Sequence, residues 1–419
     1  MSDTYSKFRN EVMAGGTDNP DLEATAGGRQ AYVGLAVIAA LLVLLFMWST
    51  WAFVFVVGLL ISIFFHELGH FVTARWTGMK ATQFFLFMGP KLWSFRRGET
   101  EYGLRAYPIG AFVRIIGMNN LDEVDPQDES RAYRNKSYPR RMLVITAGSI
   151  MHIIIAIALI FAVYSVNGRR VETDRVGIGS ISAGYPADQA GVEAGDIVVS
   201  IDGVQPKTPD QFVNQVHSHK PGDSVTLVLE RDGKTLTKVI GLGSNPTRGE
   251  SAGTAFLGVG SGNEVIWNNE SVVSAAKDSI TDLGPTVWQS IGGVVKVLNP
   301  VNIIGHLTGS NEDLNTRPTT VVGISKLSAT IGAESGIGGL LLTLAAVNVF
   351  VGLLNMFPVL PFDGGHAAIA TYERLRSRRG RAPYRADISK MIPVAMTMMV
   401  VLATLFFTGL YLDFAKPLR

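Results

Sequence analysis

The chain contains no cysteine. Disulfides and thiolate metal sites are therefore excluded, and any metal must rest on His, Asp or Glu. Charge is scarce as well. Only 17% of the 419 residues are charged, 47% are hydrophobic, and the mean hydropathy is positive. That is too apolar for an ordinary soluble protein of this length, and it fits several membrane spans plus a soluble part. The net charge of +2 offers no bulk electrostatic case for nucleic acid, so no such partner is expected. Residues 1–30 lack the basic-then-apolar layout and cleavage site of a secretory signal. A polar mobile tail is expected there.

What is present is apolar and blocky. Four blocks stand out: Ala31–Val72, Met142–Ser165, Gly336–Leu360 and Met391–Phe414. A span needs about 20 apolar residues, so each of the last three is one helix. The first is about twice that length. It reads as two spans, near 31–48 and 51–72, broken at Trp48-Ser49-Thr50-Trp51, where interfacial tryptophans suit a turn. One tilted helix is the alternative, which leaves four or five spans. Arg75 to Arg141 holds twelve Lys/Arg, including Arg75, Lys80, Arg140 and Arg141. A second basic stretch holds Arg374, Arg376, Arg378, Arg379, Arg381, Arg385 and Lys390. The positive-inside rule places both in the cytoplasm and residues 166–335 outside, with the C-terminus outside too.

Within the outside segment, Val176–Ile181, Asp196–Ile201, Ser224–Glu230 and Thr235–Ile240 read as strands, with Asp232-Gly233 as a hairpin turn. Thr208–His219 reads as a short helix. The run from Gly184 to Gly203, with Pro186-Ala187, Ala190-Gly191-Val192, Gly195-Asp196-Ile197 and Ile201-Asp202-Gly203, resembles the PDZ domains of bacterial proteases. Such domains bind peptides, here peptide termini, by adding a strand to a sheet edge. A plug that limits access by bulk is the equal alternative. Beyond it, Ile280, Leu283, Val287, Ile291, Val294 and Leu298 recur at three and four, as on one amphipathic helix.

The chemistry starts at His66-Glu67-Leu68-Gly69-His70. Ala31 to Phe65 carry no formal charge, and the run ends in two histidines and a glutamate. On a helix, His66 and His70 share one face and can hold Zn²⁺. Glu67 between them can take a proton from a water held by the metal. Ionisable groups at membrane depth are costly and mark function. A catalytic zinc site has three protein ligands, so a third must come from elsewhere. The better candidate lies in Asn355-Met-Phe-Pro-Val-Leu-Pro-Phe-Asp-Gly-Gly-His366. Pro358 and Pro361 stop a helix, Gly364 and Gly365 allow a sharp turn, and Asp363 can complete a His₂-Asp site. Irregular backbone at this depth is tolerated only when buried in protein or lining a wet cavity. Asn355 can hold a substrate backbone or the oxyanion.

His66-Glu-Leu-Gly-His70 on one span, Asn355…Pro358…Pro361-Phe-Asp363-Gly364 on a later one and a PDZ-like domain between them resemble the site-2 protease family of intramembrane zinc metalloproteases. The likeness runs from about residue 52 onward. It is nearest to the bacterial branch that cleaves membrane-bound anti-sigma factors. Phe87 to Gly103, Pro361 to His366 and the Pro417-Leu-Arg end look like actinobacterial members. The resemblance implies Zn²⁺ held by His66, His70 and Asp363, Glu67 as catalytic base, and Asn355 on the substrate. It also implies a membrane re-entrant β-hairpin at Leu104–Met118 that pairs with an unwound substrate strand, with Gly103, Leu104, Arg105, Ala106 and Tyr107 as contacts. Single-span membrane proteins such as anti-sigma factors are the implied substrates, and the bacterial plasma membrane the implied location. Ala147-Gly-Ser-Ile-Met-His152 departs from the family, which often has Ala-Gly-Pro and an asparagine there. His152 is left as a group beside the ligands, a substrate contact, a spare ligand, or a polar residue bonded between helices. His366 reads as a neighbour of the ligands rather than one of them.

The expected architecture is a polytopic α-helical membrane protein of four or five transmembrane helices, with a re-entrant β-hairpin and an inserted extracytoplasmic PDZ-like α+β domain. The expected order begins with a tail over 1–30, an extra span over 31–50 and the HExxH span over 51–72. A cytoplasmic-side loop over 73–141 and a span over 142–165 follow. The PDZ-like domain takes 168–262 and an extracytoplasmic amphipathic segment 263–335. A span over 336–366, a basic cytoplasmic loop over 367–390 and a span over 391–414 complete it. The competing reading for function is a zinc-binding membrane scaffold that presents a PDZ domain without cutting anything. A divalent-metal transporter is weaker, because the spans supply few acidic or histidine residues.

Overall fold

The structure, a computed structural model, describes residues 28–118, 122–246, 253–311, 313, 316–377 and 384–415. The expected tail up to residue 27 lies outside these, as do Arg378, Arg379, Arg381 and the Pro417-Leu-Arg end. Five helices among the described residues are long and apolar enough to cross a membrane. The chain is a multi-pass membrane protein. It divides into two compact units, one of residues 1–163 and 276–419, the other of 164–275.

In the first unit, α1 (Gly28–Trp48) and α2 (Thr50–Trp76) are separated by Ser49 alone. Ser49 is extended, with φ −161° and ψ 119°, and its hydroxyl accepts the Ala52 N–H at 3.2 Å, so it starts a new helix. The first apolar block thus forms two helices, each long and apolar enough to cross a membrane, in keeping with the two-span reading. α1 packs on the hairpin that follows α2: a Cβ at Gly34 would lie 2.5 Å from the Leu92 side chain.

That hairpin is larger than the expected Leu104–Met118. It comprises β1 (Ala81–Arg97) and β2 (Thr100–Ile115), turning at Gly98. Positive φ at Phe87 and Gly89 bends β1, and positive φ at Gly110 bends β2. Each strand therefore folds back, and residues 83–86 lie between 101–104 on one side and 111–114 on the other. Gly103 and Leu104 consequently have partners on both sides, Ser94 and Phe85, Trp93 and Leu86. They offer no free edge to a substrate strand, which corrects their expected role. Arg105 is also corrected. It is 2% exposed, packs on the Phe85 and Phe112 rings and donates to the Gly89 carbonyl at 2.9 Å. Ala106 is half-buried and Tyr107 exposed, packed on Gly89.

α3 (Tyr138–Asn167) is the next span. Phe71, Ala74, Phe84, Ile115, Tyr133, Val144 and Ala370 form one apolar cluster that joins the end of α2, the hairpin and the start of α3. This cluster fixes the end of α2 that carries the histidines.

The second unit is built on β3 (Arg169–Ile181), α4 (Pro186–Gln189), β4 (Ile197–Ile201), α5 (Pro209–His217), β5 (Ser224–Arg231) and β6 (Lys234–Gly241). A short pair, β7 (Gly243–Ser244) with β8 (Ala255–Phe256), follows, and then β9 (Val259–Asn268). The main sheet runs β6-β5-β4-β3-β9, all antiparallel, over an apolar core that includes Val176, Val198, Phe212 and Leu227. The expected limit at 262 cuts through β9. That strand pairs with β3 from Ile181↔Val259 to Arg169↔Asn268, so the domain ends later.

The stripe expected on one amphipathic helix is divided between α6 (Val272–Thr281), which carries Ile280, and α7 (Leu283–Val297), and α8 (Pro300–Thr308) follows. Asp282 separates the first two and Pro300 opens the third. The span expected to begin at Gly336 begins earlier. α9 (Val321–Asn355) runs through Gly336, which sits at φ 64° and ψ −162° and kinks it. Only glycine takes that conformation readily, so the residue expected to open the helix marks its bend. The helix stops at Asn355 rather than running to 366, because Pro358 and Pro361 lie in the following turn. A new helix, α10 (Asp363–Arg376), then occupies the start of the expected basic loop. The last span is α11 (Ile392–Ala415).

Candidate metal centre

The site is assembled on the C-terminal half of α2. His66 and His70 are one turn apart there, and both are buried. Their Nε2 atoms lie 3.2 Å apart. Asp363 Oδ2 lies 3.4 Å from His66 Nε2 and 3.3 Å from His70 Nε2. Among the described residues these three form the group able to hold a metal ion. Ligands ~2.0–2.1 Å from a tetrahedral zinc stand ~3.3 Å from one another. The three atoms thus already form one face of such a tetrahedron, and the fourth corner is left for water or substrate. Asp363 Oδ2 is buried and has no hydrogen-bond donor among the described residues, as suits an oxygen kept for a cation. With neutral imidazoles, the carboxylates of Asp363 and Glu67 are balanced by a divalent ion.

Backbone places two of the ligands, His70 and Asp363. His70 donates Nδ1–H to the Val144 carbonyl at 2.7 Å, so its Nε2 lone pair faces the metal position. One turn further along α3, Gly148 touches both rings. A Cβ there would lie 2.4 Å from His66 Cε1 and 2.5 Å from His70 Nε2. Asp363 is placed by the turn between α9 and α10. The Leu360–Pro361 peptide is cis, and Gly365 N–H closes the turn on the Phe362 carbonyl at 2.9 Å. A Cβ at Gly364 would lie 2.2 Å from the Met356 carbonyl oxygen, and one at Gly365 would lie 2.5 Å from Leu360 N. The two glycines let α10 start against its own turn, and that start carries Asp363 to the histidines.

Glu67 is half-buried beside the ligands, and its carboxylate lies against the backbone N–H of Val113 in β2. Asn355 is the last residue of α9, half-buried, and its side chain makes no hydrogen bond among the described residues. His152 packs on His66 with ring centroids 5.0 Å apart, and its Nδ1 is 2.8 Å from Asn348 Oδ1. It is outside the metal-holding group. His366 is half-buried and lines a small cavity with Tyr133, Arg141 and Glu373. Arg141 and Glu373 are themselves paired at 2.6 Å, which ties the start of α3 to α10. Sequence reasoning passed over Val144, Gly148, Asn348 and Val113. For Gly148 a signal existed, since a small residue one turn before His152 marks close helix approach. A carbonyl or N–H that acts through the backbone leaves none.

Residues 54–400 match the family model of Peptidase family M50. Zinc metalloprotease Rip1 of Mycobacterium tuberculosis is 32% identical over 410 residues, covering 89% of this chain and 99% of that one. Zinc metalloprotease Rip1 of Mycolicibacterium smegmatis is 30% identical over 405 residues, covering 87% and 97%. Among solved structures, the PDZ domain of an SdrC-like protein from Listeria monocytogenes is 29% identical, covering 21% of this chain and 88% of that one, with a TM-score of 0.19. The family model spans both halves of the metal centre, and so do the two Rip1 alignments in length: the chain belongs to Peptidase family M50 and is an intramembrane zinc metalloprotease of the site-2 type.

Proposed function

We propose that His66, His70 and Asp363 bind the catalytic Zn²⁺ and that Glu67 is the base and acid of peptide hydrolysis within transmembrane segments. The observation that carries this is the triangle of ligand atoms at 3.2–3.4 Å. Zn²⁺, when bound, polarises the scissile carbonyl and acidifies the attacking water. Glu67 takes the proton from that water and delivers it to the leaving amine. Asn355, free at the helix end, holds the substrate backbone.

A substrate helix hides its carbonyls in its own hydrogen bonds, so it must unwind before it is cut. The hairpin gives it somewhere to go, as a strand added to the membrane re-entrant sheet. The edge that fits is Ala111–Arg114, whose inner side pairs with residues 83–86 and whose Val113 lies at Glu67. The PDZ-like unit lies outside the cytoplasm and excludes substrates whose outer part is still bulky. Single-span membrane proteins such as anti-sigma factors, already trimmed outside, are the substrates, and the plasma membrane of a bacterium is the location.

The test uses the full chain in proteoliposomes with a single-span substrate. Cleavage should stop with a zinc chelator, return with Zn²⁺, and fall by at least about a hundredfold in Glu67→Gln. Chelator-insensitive cleavage would overturn the ligand assignment. Full activity in Glu67→Gln would overturn the role of the glutamate.

A further inference from the structure

His152 is left without a function by the metal centre, yet it is 1% exposed and lies against His66. Three observations define its chemistry. The first is its tautomer. Asn348 donates its Nδ2–H to the Leu344 carbonyl at 2.8 Å, which sets the amide orientation and turns Oδ1 toward His152. Oδ1 can only accept, so His152 Nδ1 carries the proton. In the neutral ring the lone pair is therefore on Nε2, as it is on His70.

The second observation is the ring's place on α3. Val144, Gly148 and His152 are spaced by four and share one face. Val144 holds His70, Gly148 makes room for both ligand rings, and His152 continues the same face against His66. α9 closes on its other side, where a Cβ at Gly352 would stand 3.0 Å from His152 Cβ. The ring is thus clamped between α2, α3 and α9. Asn348, itself 0% exposed, is the hydrogen-bond partner of its Nδ1, which leaves the Nε2 lone pair for another donor.

The third observation excludes the simplest use of that lone pair. His152 does not belong to the group of atoms close enough to share one ion. It is not a fourth ligand.

We propose that His152 is a catalytic hydrogen-bond acceptor: Nε2 receives the N–H of the scissile peptide's nitrogen and holds it as that nitrogen becomes the leaving amine. The proposal rests on the metalloprotease reading above. The proton balance is simple. Glu67 gives the leaving nitrogen its second proton, the C–N bond breaks, and His152 keeps its own proton on Nδ1 throughout. An Nε2 acceptor cannot donate to the oxyanion, so that duty stays with the metal and Asn355. Acceptance matters because a peptide N–H stripped from its helix and buried without a partner is costly.

The full chain in proteoliposomes tests this with His152→Phe, His152→Gln, Asn348→Leu and Asn348→Asp. His152→Phe should lower kcat by at least about tenfold with KM little changed, while zinc retention against a competing chelator stays at the wild-type level. His152→Gln, whose carbonyl can accept, should recover part of that loss. Asn348→Asp keeps an acceptor for the Nδ1 proton but loses the bond to the Leu344 carbonyl, and should lose less kcat than Asn348→Leu, which frees the tautomer and should lose kcat several-fold. That loss should vanish in the His152→Phe background, because the two act as one unit. Loss of zinc in His152→Phe would make the residue a ligand and overturn the proposal. So would equal rates for Phe and Gln, or additive losses at 152 and 348. Glu67→Gln is the separating control: if it still cleaves, the metalloprotease reading has failed, and not the role of His152.

Discussion

At the scale of single residues, the centre depends on a side chain that is absent. Gly148 leaves space for two imidazole rings that would otherwise meet a Cβ at 2.4–2.5 Å. Neither ring can retreat freely, since His70 is hydrogen-bonded to Val144 and His66 is packed on His152. Gly148→Ala should therefore push the ligand pair apart and weaken zinc binding by at least about tenfold, the scale seen when groups around a metal are disturbed. The change favours helix by propensity, so folding should survive. Chelator competition on purified protein checks it, and unchanged zinc affinity would mean the rings tolerate the methyl group. His66, Glu67 and His70 were legible because their spacing is itself helical and their setting is apolar. Asp363 was legible because an acid between prolines and glycines at membrane depth has few other uses. Gly103, Leu104 and Arg105 were misread, because the bends at Phe87, Gly89 and Gly110 that enclose them come from φ values rather than from a repeat in residue type.

At the scale of elements, apolar runs revealed where spans exist, and polar contacts decided where they end. Ser49 splits the first block with one hydroxyl, and Asp413 gathers the start of α9 by accepting from Thr320 N at 2.9 Å and Gly323 N at 3.1 Å. Hydropathy sees neither. The PDZ-like unit shows the same division. Its motif residues located it, and an ion pair between Asp196, just before β4, and Arg231 of β5 braces it. Arg231 grips Asp196 with Nε–Oδ1 at 2.6 Å and Nη2–Oδ2 at 2.8 Å, and also donates to the Gly191 carbonyl at 2.9 Å. Burial alone would raise the Asp196 carboxyl, but the Arg231 hydrogen bonds outweigh it and hold the group below the usual carboxylate range. A carboxyl depressed by folding stabilises the fold above its unfolded value, about 3.9, and that stabilisation is lost as pH falls through the folded value. The thermal midpoint of the unit should fall steadily as pH drops below about 4. Asp196→Asn should lower the midpoint at neutral pH and flatten this acid limb, as read by calorimetry. An unchanged acid limb in the variant would assign it to other carboxylates.

At the scale of the molecule, the chain enters and leaves the second unit at neighbouring positions, which makes that unit removable. β3 and β9 pair along their length, and Arg169 stands opposite Asn268 at the end where the chain enters and leaves. The unit has its own apolar core, from Val176 to Leu257. Replacing residues 169–268 with a short Gly/Ser linker therefore bridges two positions that already neighbour each other, whereas a cut at 262 would strand half of β9. If the unit works by bulk exclusion, the shortened chain should cleave a single-span substrate that still carries its large outer domain. The full chain should cleave it only after that domain is removed, and zinc retention by the shortened chain would show an intact centre. If the shortened chain retains zinc and cleaves trimmed substrate but still refuses the untrimmed one, exclusion is not what the unit does. Peptide capture at its sheet edge would then be the function left to explain the insertion.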